Sequence, residues 1–357
     1  MQSFWKKMVV AVLAVFVTTA FAASPKVTSK EEAPKSFQEQ GYAMSEDQMT
    51  AGYNSPARID THGYDFSIWG SFLYWQGMQD FMELGYYPVG TGDSYTKTQE
   101  QIEMDFDWKP GFKVGIGAST DYDHWDFAAE YTWFHAKNKK SHTVDSTVYF
   151  YVPRYNNLTS TGINKVSGSW KMNFDIVDAE MARSYYVGTK LSFRTFFGAR
   201  AAWLNQKYKE QLYILEVEAV PAHWWYYTGK TRNWGVGPRV GIDVNWMFTE
   251  GFRFFGNAAT SILYSRYRIS EKEDNVVNLE NEFEILYQKS KFHALRPNLE
   301  ILGGLGWGTY FGDGEYHFDL SAAYEFRFFW SQEAMRYDVI RGDLTLNGLT
   351  VTARFDF

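Results

Sequence analysis

The chain has 357 residues, with 35 Lys and Arg against 42 Asp and Glu for a net charge of −7, and no cysteine. An acidic chain is a poor match for a nucleic-acid backbone, and a chain without cysteine has no disulfide framework, thiolate nucleophile or Cys-based zinc site. Aromatic residues make up 19% of the chain, more than a soluble core of this size calls for, and surplus Tyr and Trp suit the interfaces of a membrane.

Residues 1–22 carry Lys6 and Lys7, an apolar run over 8–16, and Ala20-Phe21-Ala22. The run is shorter than the ~20 residues a spanning helix needs, so it reads as a secretory signal peptide. Its removal would take the net charge from −7 to −9. Residues 23–60 are polar and irregular, with Pro25, Pro34 and Pro56, and read as a periplasmic extension; an amphipathic or plug-like helix over 37–49 is an option within it.

From 61 to the end the chain alternates with period two. Phe66, Ile68, Phe72 and Tyr74 share one face of a first strand, although Trp69, Leu73 and Trp75 fall out of the pattern. Phe112, Val114 and Ile116 alternate with Lys113, Gly115 and Gly117, a turn follows at 121–124, and Phe127, Ala129, Tyr131 and Trp133 return the same apolar face against Asp126 and Glu130. This is an antiparallel hairpin with one apolar and one polar side. The unit recurs around Phe193 and Phe197, Val236 and Val240, Phe254 and Ile262, Leu295 and Leu305, and Phe318 and Leu320. The segment 170–181 changes phase: Trp170, Met172, Phe174 and Ile176 are even-numbered, Val177, Ala179 and Met181 odd. A β-bulge between Ile176 and Asp178 would reconcile them and keep Asp175, Asp178 and Glu180 on the polar face. The last strand, 346–357, sets Leu349, Val351, Ala353, Phe355 and Phe357 against Gly348, Thr350, Thr352, Arg354 and Asp356.

Links alternate between short (near 121–124, 182–190, 247–251 and 309–314) and long and polar (near 77–110, 137–168, 205–232, 267–293 and 331–344). Short periplasmic turns and long external loops are the mark of an outer-membrane barrel. The fold class expected is therefore all-β, an antiparallel up-and-down transmembrane β-barrel of about ten strands over 61–357, with twelve as the alternative. Phe355 and Phe357 read as the signal by which barrel-assembly machinery recognises the closing strand.

Seven short stretches carry a family resemblance: Pro56-Ala-Arg-Ile59, Ser71-Phe-Leu-Tyr-Trp75, the run from Asp107 to Gly117, Tyr131-Thr-Trp-Phe134, the run from Trp203 to Tyr208, Trp234-Gly-Val-Gly-Pro-Arg239 and Gly303-Gly-Leu-Gly-Trp-Gly308. With these, the chain from about Pro56 onward resembles the Legionella-type major outer membrane protein family, the porin-like group also seen as major-outer-membrane-protein-like proteins in environmental chlamydiae. The resemblance implies a pore-forming role in the outer membrane of a Gram-negative-type bacterium. Related chlamydial proteins commonly carry cysteines, and this chain has none.

The polar faces place nine cations in the lumen, Lys113, Lys171, Arg194, Arg200, Arg239, Arg253, Arg296, Arg327 and Arg354. Ten anions face them: Asp126, Glu130, Asp175, Asp178, Glu180, Asp243, Glu300, Asp319, Glu325 and Asp356. Near-neutrality points either to weak ion selectivity or to cross-strand ion pairs. Ten strands lie nearer to the eight that enclose only side chains than to the sixteen that hold a channel. Small inward residues such as Gly115, Gly117, Gly198, Gly235, Gly237, Gly241, Gly304 and Ser321 argue for more room. The glycines of 303–308 lie within a strand pattern and are not a nucleotide loop. No cofactor, metal or catalytic residue is expected. His135, His142 and Asp145 read as loop residues, and Asp105, Asp107, His223 and Asp274 as the material of a rim-active hydrolase only if the loops gather them. The function expected is passive diffusion of small polar solutes or ions; the alternatives are a structural or adhesive barrel with a closed lumen, and that hydrolase. Lipid and a homo-oligomeric partner complete the expected contacts.

Overall fold

The computed structural model describes residues 64–88, 99–120, 125–147, 149–152, 158–160, 162–187, 190–216, 221–249, 251–278, 281–312, 315–332, 334–335 and 342–357. The signal peptide over 1–22, the extension over 23–60 and its optional helix lie outside these residues. The alternation of β-branched and aromatic residues with small or polar ones resolves into fourteen described strands. These are β1 (Tyr64–Gln79), β2 (Gly85–Pro88), β3 (Gln99–Ile102), β4 (Trp108–Thr120), β5 (Trp125–Thr143), β6 (Phe150–Val152), β7 (Leu158–Ser160), β8 (Ile163–Val187), β9 (Leu191–Ile214), β10 (His223–Thr249), β11 (Phe252–Asn278), β12 (Asn281–Phe311), β13 (Tyr316–Phe329) and β14 (Leu344–Asp356).

Ten of them close a ring in the order β1-β14-β13-β12-β11-β10-β9-β8-β5-β4, every neighbouring pair antiparallel. This is the ten-strand barrel, not the twelve-strand one. Four short strands, in the order β3-β2-β6-β7, form a separate sheet from the two links that follow β1 and β5. The seam is formed by β1 and β14, in register from Ser67↔Asp356 to Gln79↔Leu344. Below it Phe66 and Phe357 exchange both backbone hydrogen bonds, at 2.8 and 2.9 Å. Following the ladder once around from Trp125 in β5 ends at Trp108 in β4, while Asp126 pairs Ser119 directly. That offset of about twelve residues belongs to strands tilted by about 40°.

Much of the expected loop sequence is wall. β8 to β12 are 24–31 residues long, whereas β13, β14, β1 and β4 have 13–16, so the barrel is cut obliquely and one side stands far above the other. A bilayer crossing takes only ~9–11 residues of strand. Phe66, Ile68, Phe72, Val114, Ile116, Val236, Val240, Ile262, Leu305 and Leu320 are 46–64% exposed and form the outer apolar band. Aromatic clusters bound it. At the short-turn end, Phe355 lies 5.7–6.0 Å from Phe311, Tyr316 and Phe357, and Phe254 lies 4.7 Å from Phe248 and 5.8 Å from Trp246. At the other end, Phe112 stacks on Trp133 at 5.4 Å and Tyr74 on Trp108 at 5.8 Å.

The phase change at 170–181 is not a bulge. β8 pairs with β5 and β9 without a break from Trp170 to Met181. Its even-numbered residues point inward throughout, so Trp170, Met172, Phe174 and Ile176 are buried in the lumen with Asp178. Lys171 and Asp175 therefore stand on the outer face. Asp175 is bonded there by the Tyr131 hydroxyl at 2.8 Å and by His135 at 3.2 Å.

Candidate functional site in the barrel lumen

The lumen has two layers. Toward the long-loop end it is filled by an apolar cluster that joins wall residues such as Leu73, Trp75, Phe134, Trp170, Phe174, Leu204 and Leu346 to link residues including Met82, Leu84, Ile102, Met104, Phe150 and Met335. Phe106 meets Trp170 edge-on at 5.6 Å, and Tyr227 donates to the carbonyl of Met335 at 2.5 Å. Gln332 reaches in beside it, accepting from the Tyr267 hydroxyl at 2.8 Å and from Asn233 at 3.2 Å. Two non-glycine residues in the left-handed region, Phe81 (φ 62°) and Ser331 (φ 53°), mark where the chain leaves β1 and β13. Such residues store strain of about 1 kcal/mol or more. Asp343 ties the two points together, its carboxylate accepting from the Ser331 amide at 2.8 Å and its carbonyl from the Asp80 amide at 3.0 Å.

Toward the short-turn end the inward residues are charged, and they meet across the lumen instead of lining it as separate stripes. Arg200 holds Asp178 through two bonds of 2.6 Å and also bonds Glu300. Arg239 spans Glu180 at 2.8 Å and Glu300 at 3.0 Å. Arg327 joins Glu300 at 3.3 Å to Glu325 at 2.7 Å, and Lys113 joins Glu325 at 2.8 Å to Glu130 at 3.7 Å. Arg194 completes the chain with Asp126 at 2.5 Å, Asp243 at 2.8 Å and Glu180 at 2.9 Å. Neutral donors enlist the remaining strands: Trp69 to Glu130 and Thr350 to Glu325, with Ser261 on the Asn298 amide oxygen that Arg200 also reaches. The Arg200 side chain is 0% exposed and those of Asp178, Glu300 and Glu325 are 4–6%. Charges this dry persist because each has partners on several sides.

The remaining expected lumen charges stand beside this layer. Arg253 pairs with Asp319, and Arg354 reaches Asp356 at 2.7 Å, which also bonds His317 at 3.0 Å. Arg296 sits higher, its Nε donating to the Tyr267 hydroxyl at 3.1 Å. A cavity of about 270 Å³ opens against the ion-paired layer, bordered by its members Lys113, Asp126, Glu130, Glu180, Arg194 and Asp243 together with Ser67, Trp69, Arg253, Asp319 and Arg354. The small inward residues do not simply widen the lumen. A side chain on Gly115 would collide with the Trp69 ring, one on Gly241 with Phe196, and one on Gly168 with Leu84, so these glycines make room for large neighbours.

The rim residues are not gathered into a site by any described contact. Asp105 is held by Lys140 at 2.7 Å, Asp107 by Lys109 at 3.0 Å, Asp274 by Lys272 at 2.8 Å, and His223 meets the Pro221 carbonyl at 3.0 Å. His142 meets Tyr87 at 3.2 Å, and Asp145 bonds Thr147, which holds its carboxyl below the ordinary range. No group of three or more His, Cys, Asp or Glu among the described residues is placed to hold a metal ion. The apolar layer was the part sequence reasoning missed; its signal was Leu73 and Trp75, out of pattern for a strand with one polar face and both buried in that layer, whereas Trp69, also out of pattern, belongs to the charged end through Glu130.

Among solved structures, the outer membrane protease OmpT from Escherichia coli matches at 9% identity and a TM-score of 0.36, over 84% of this chain and 99% of that one. The Pseudomonas putida toluene transporter TodX (10%, TM-score 0.27, 83% and 89%) and a Pseudomonas aeruginosa FadL homologue (9%, 0.27, 83% and 90%) also match. None of these likenesses bears on what this barrel does. Among curated proteins, no sequence matches. The family model described as Legionella pneumophila major outer membrane protein precursor matches residues 59–357, and the chain, an outer-membrane β-barrel, belongs to that family.

Proposed function

We propose that the protein is a closed structural barrel of the outer membrane in its resting state, one that seals its own lumen and carries an external rim, and not a standing diffusion pore. The observation that carries this reading is the buried ionic layer, in which Arg200, Arg239 and Arg327 converge on Glu300. A water-filled pore keeps its charges hydrated, whereas these side chains are 0–10% exposed. The apolar layer beyond it adds a second seal. The reading assigns no reaction to the rim.

Passive diffusion of small polar solutes is the second reading, and one observation favours it: part of the apolar layer is borne by the links, through Met82, Leu84, Met104 and Met335, and link residues can withdraw where wall residues cannot. The purified full chain in planar bilayers separates the two. A closed barrel gives no steady conductance at low voltage; steady conductance proportional to salt, present without any opening stimulus, would overturn the closed reading in favour of the pore.

A further inference from the structure

On the outer face of the tall wall, four lysines stand in one unbroken row. Lys137 of β5 pairs directly with Lys171 of β8, Lys171 with Lys207 of β9, and Lys207 with Lys230 of β10. Like charges directly opposite on adjacent strands repel and destabilise a sheet. Three such pairs in succession therefore call for an anion. The described residues do not provide one: none of the four makes an ion pair or side-chain hydrogen bond to any of them. Partial burial, and then Lys209, Lys230 and Lys171 around it, push the Lys207 ammonium below the ordinary lysine range. The one described carboxylate on the outer face of the row below, Asp175, is engaged by Tyr131 and His135.

Position identifies the missing partner. Four residues nearer the membrane on the same strands runs a parallel paired row, Trp133–Asp175–Trp203–Trp234. Trp at this density marks the headgroup level of a bilayer. On strands tilted by about 40°, four residues rise roughly 10 Å, which puts the ammonium groups at the phosphate level just beyond the rings. Between the rows lie His135, Asn173, Asn205 and Arg232, donors at the depth where a sugar ring would lie. Because the rows climb obliquely, the lysines meet a headgroup layer at graded depths instead of along one line.

We propose that the row Lys137–Lys171–Lys207–Lys230 docks the phosphorylated headgroups of outer-leaflet glycolipids against the tall wall of the barrel. The inference rests on the outer-membrane location and not on whether the lumen is open.

The test is binding of the detergent-solubilised full chain to micelles of a bisphosphorylated, acylated diglucosamine lipid, beside the same lipid with its phosphates removed. The parent should bind the phosphorylated lipid and not the other, with an affinity that falls as salt rises. The variant Lys171→Gln/Lys207→Gln/Lys230→Gln, checked for its heat-modifiable folded band, should lose about 100-fold in affinity, while Lys109→Gln/Lys140→Gln should bind like the parent. Should the triple variant fail to fold, Lys207→Gln alone should lose about fivefold. Equal binding by the folded variants and the parent, or equal binding of the dephosphorylated lipid, would overturn the proposal. Preference for a soluble polyanion such as a sulfated oligosaccharide over the lipid would overturn it too, and would make the row a polysaccharide site.

Discussion

The two layers of the lumen are built by the same strands and differ in what those strands point inward. β8 shows it within one element: Asp178 and Glu180 face the lumen near the short turns, and two residues further on the inward series becomes Ile176, Phe174, Met172 and Trp170. β1 makes the same change between Ser71 and Leu73. The outward face stays apolar or polar according to the membrane, while the inward face switches from charge to hydrocarbon according to what it must meet across the lumen. A narrow barrel can thus close itself by two separate physical means, one directional and one not.

The largest effect expected from breaking this pair of layers lies in the charged one. Glu300→Gln removes the carboxylate on which three arginines converge and leaves them short of a counter-ion in a dry site, at a cost of about 3–5 kcal/mol. Urea unfolding in detergent reads it; a loss below about 1 kcal/mol would mean that water reaches these groups and that the lower layer is a lining after all. In the apolar layer, Met172→Ala deletes a fully buried side chain and should cost about 2–4 kcal/mol, because the wall around it cannot collapse inward. If it costs nothing, the upper layer is loose and the contrast between the layers fails.

The smallest effect lies at the rim above both. Burial raises the Glu273 carboxyl above the ordinary glutamate range, against the hydrogen bond from Trp225 at 2.8 Å, and neighbouring Asp274 adds to the rise. The folded state therefore holds that proton more tightly than the unfolded chain does. Its contribution to stability is full below the ordinary glutamate range and is lost as pH rises through the raised value. Hydrogen exchange of β10 and β11 near Trp225 should accelerate slightly across that window, and Glu273→Gln should flatten the profile. A profile unchanged by the substitution would assign the titration elsewhere.

The wall was legible in the sequence and the filling of the lumen was only half so. Strand count, antiparallel order and the outward band followed from alternation, because lipid imposes the same hydrocarbon requirement on every strand at the same depth. The charged inward residues followed for the same reason: Arg200, Arg239, Glu300 and Glu325 stand between apolar neighbours of the opposite face, and Arg194 follows Phe193. Where the lumen turns apolar, both faces of a strand carry hydrocarbon and alternation stops carrying information. Phe72-Leu73-Tyr74-Trp75 reads as a defect and Ile176-Val177 as a bulge, although neither departs from regular pairing. Partner choice across the lumen was not legible, since Arg200 and Glu300 lie a hundred residues apart and meet only because shear and strand count bring β9 opposite β12.

The ionic layer also bears on how the barrel comes to be finished. Lys113 on β4 reaches Glu325 on β13, so this pair straddles the β1–β14 seam. Before the seam zips, each of these two charges stands in water at an open edge; afterwards both are dry and bound to each other. Closure is thus coupled to desolvation in a single event, and a nearly complete barrel has no comfortable halfway state in which the ring is shut and the ions are still apart. Assembly of such a ring should be all-or-none at its last step, with open sheets accumulating as the detectable precursor and almost no partly zipped rings among them.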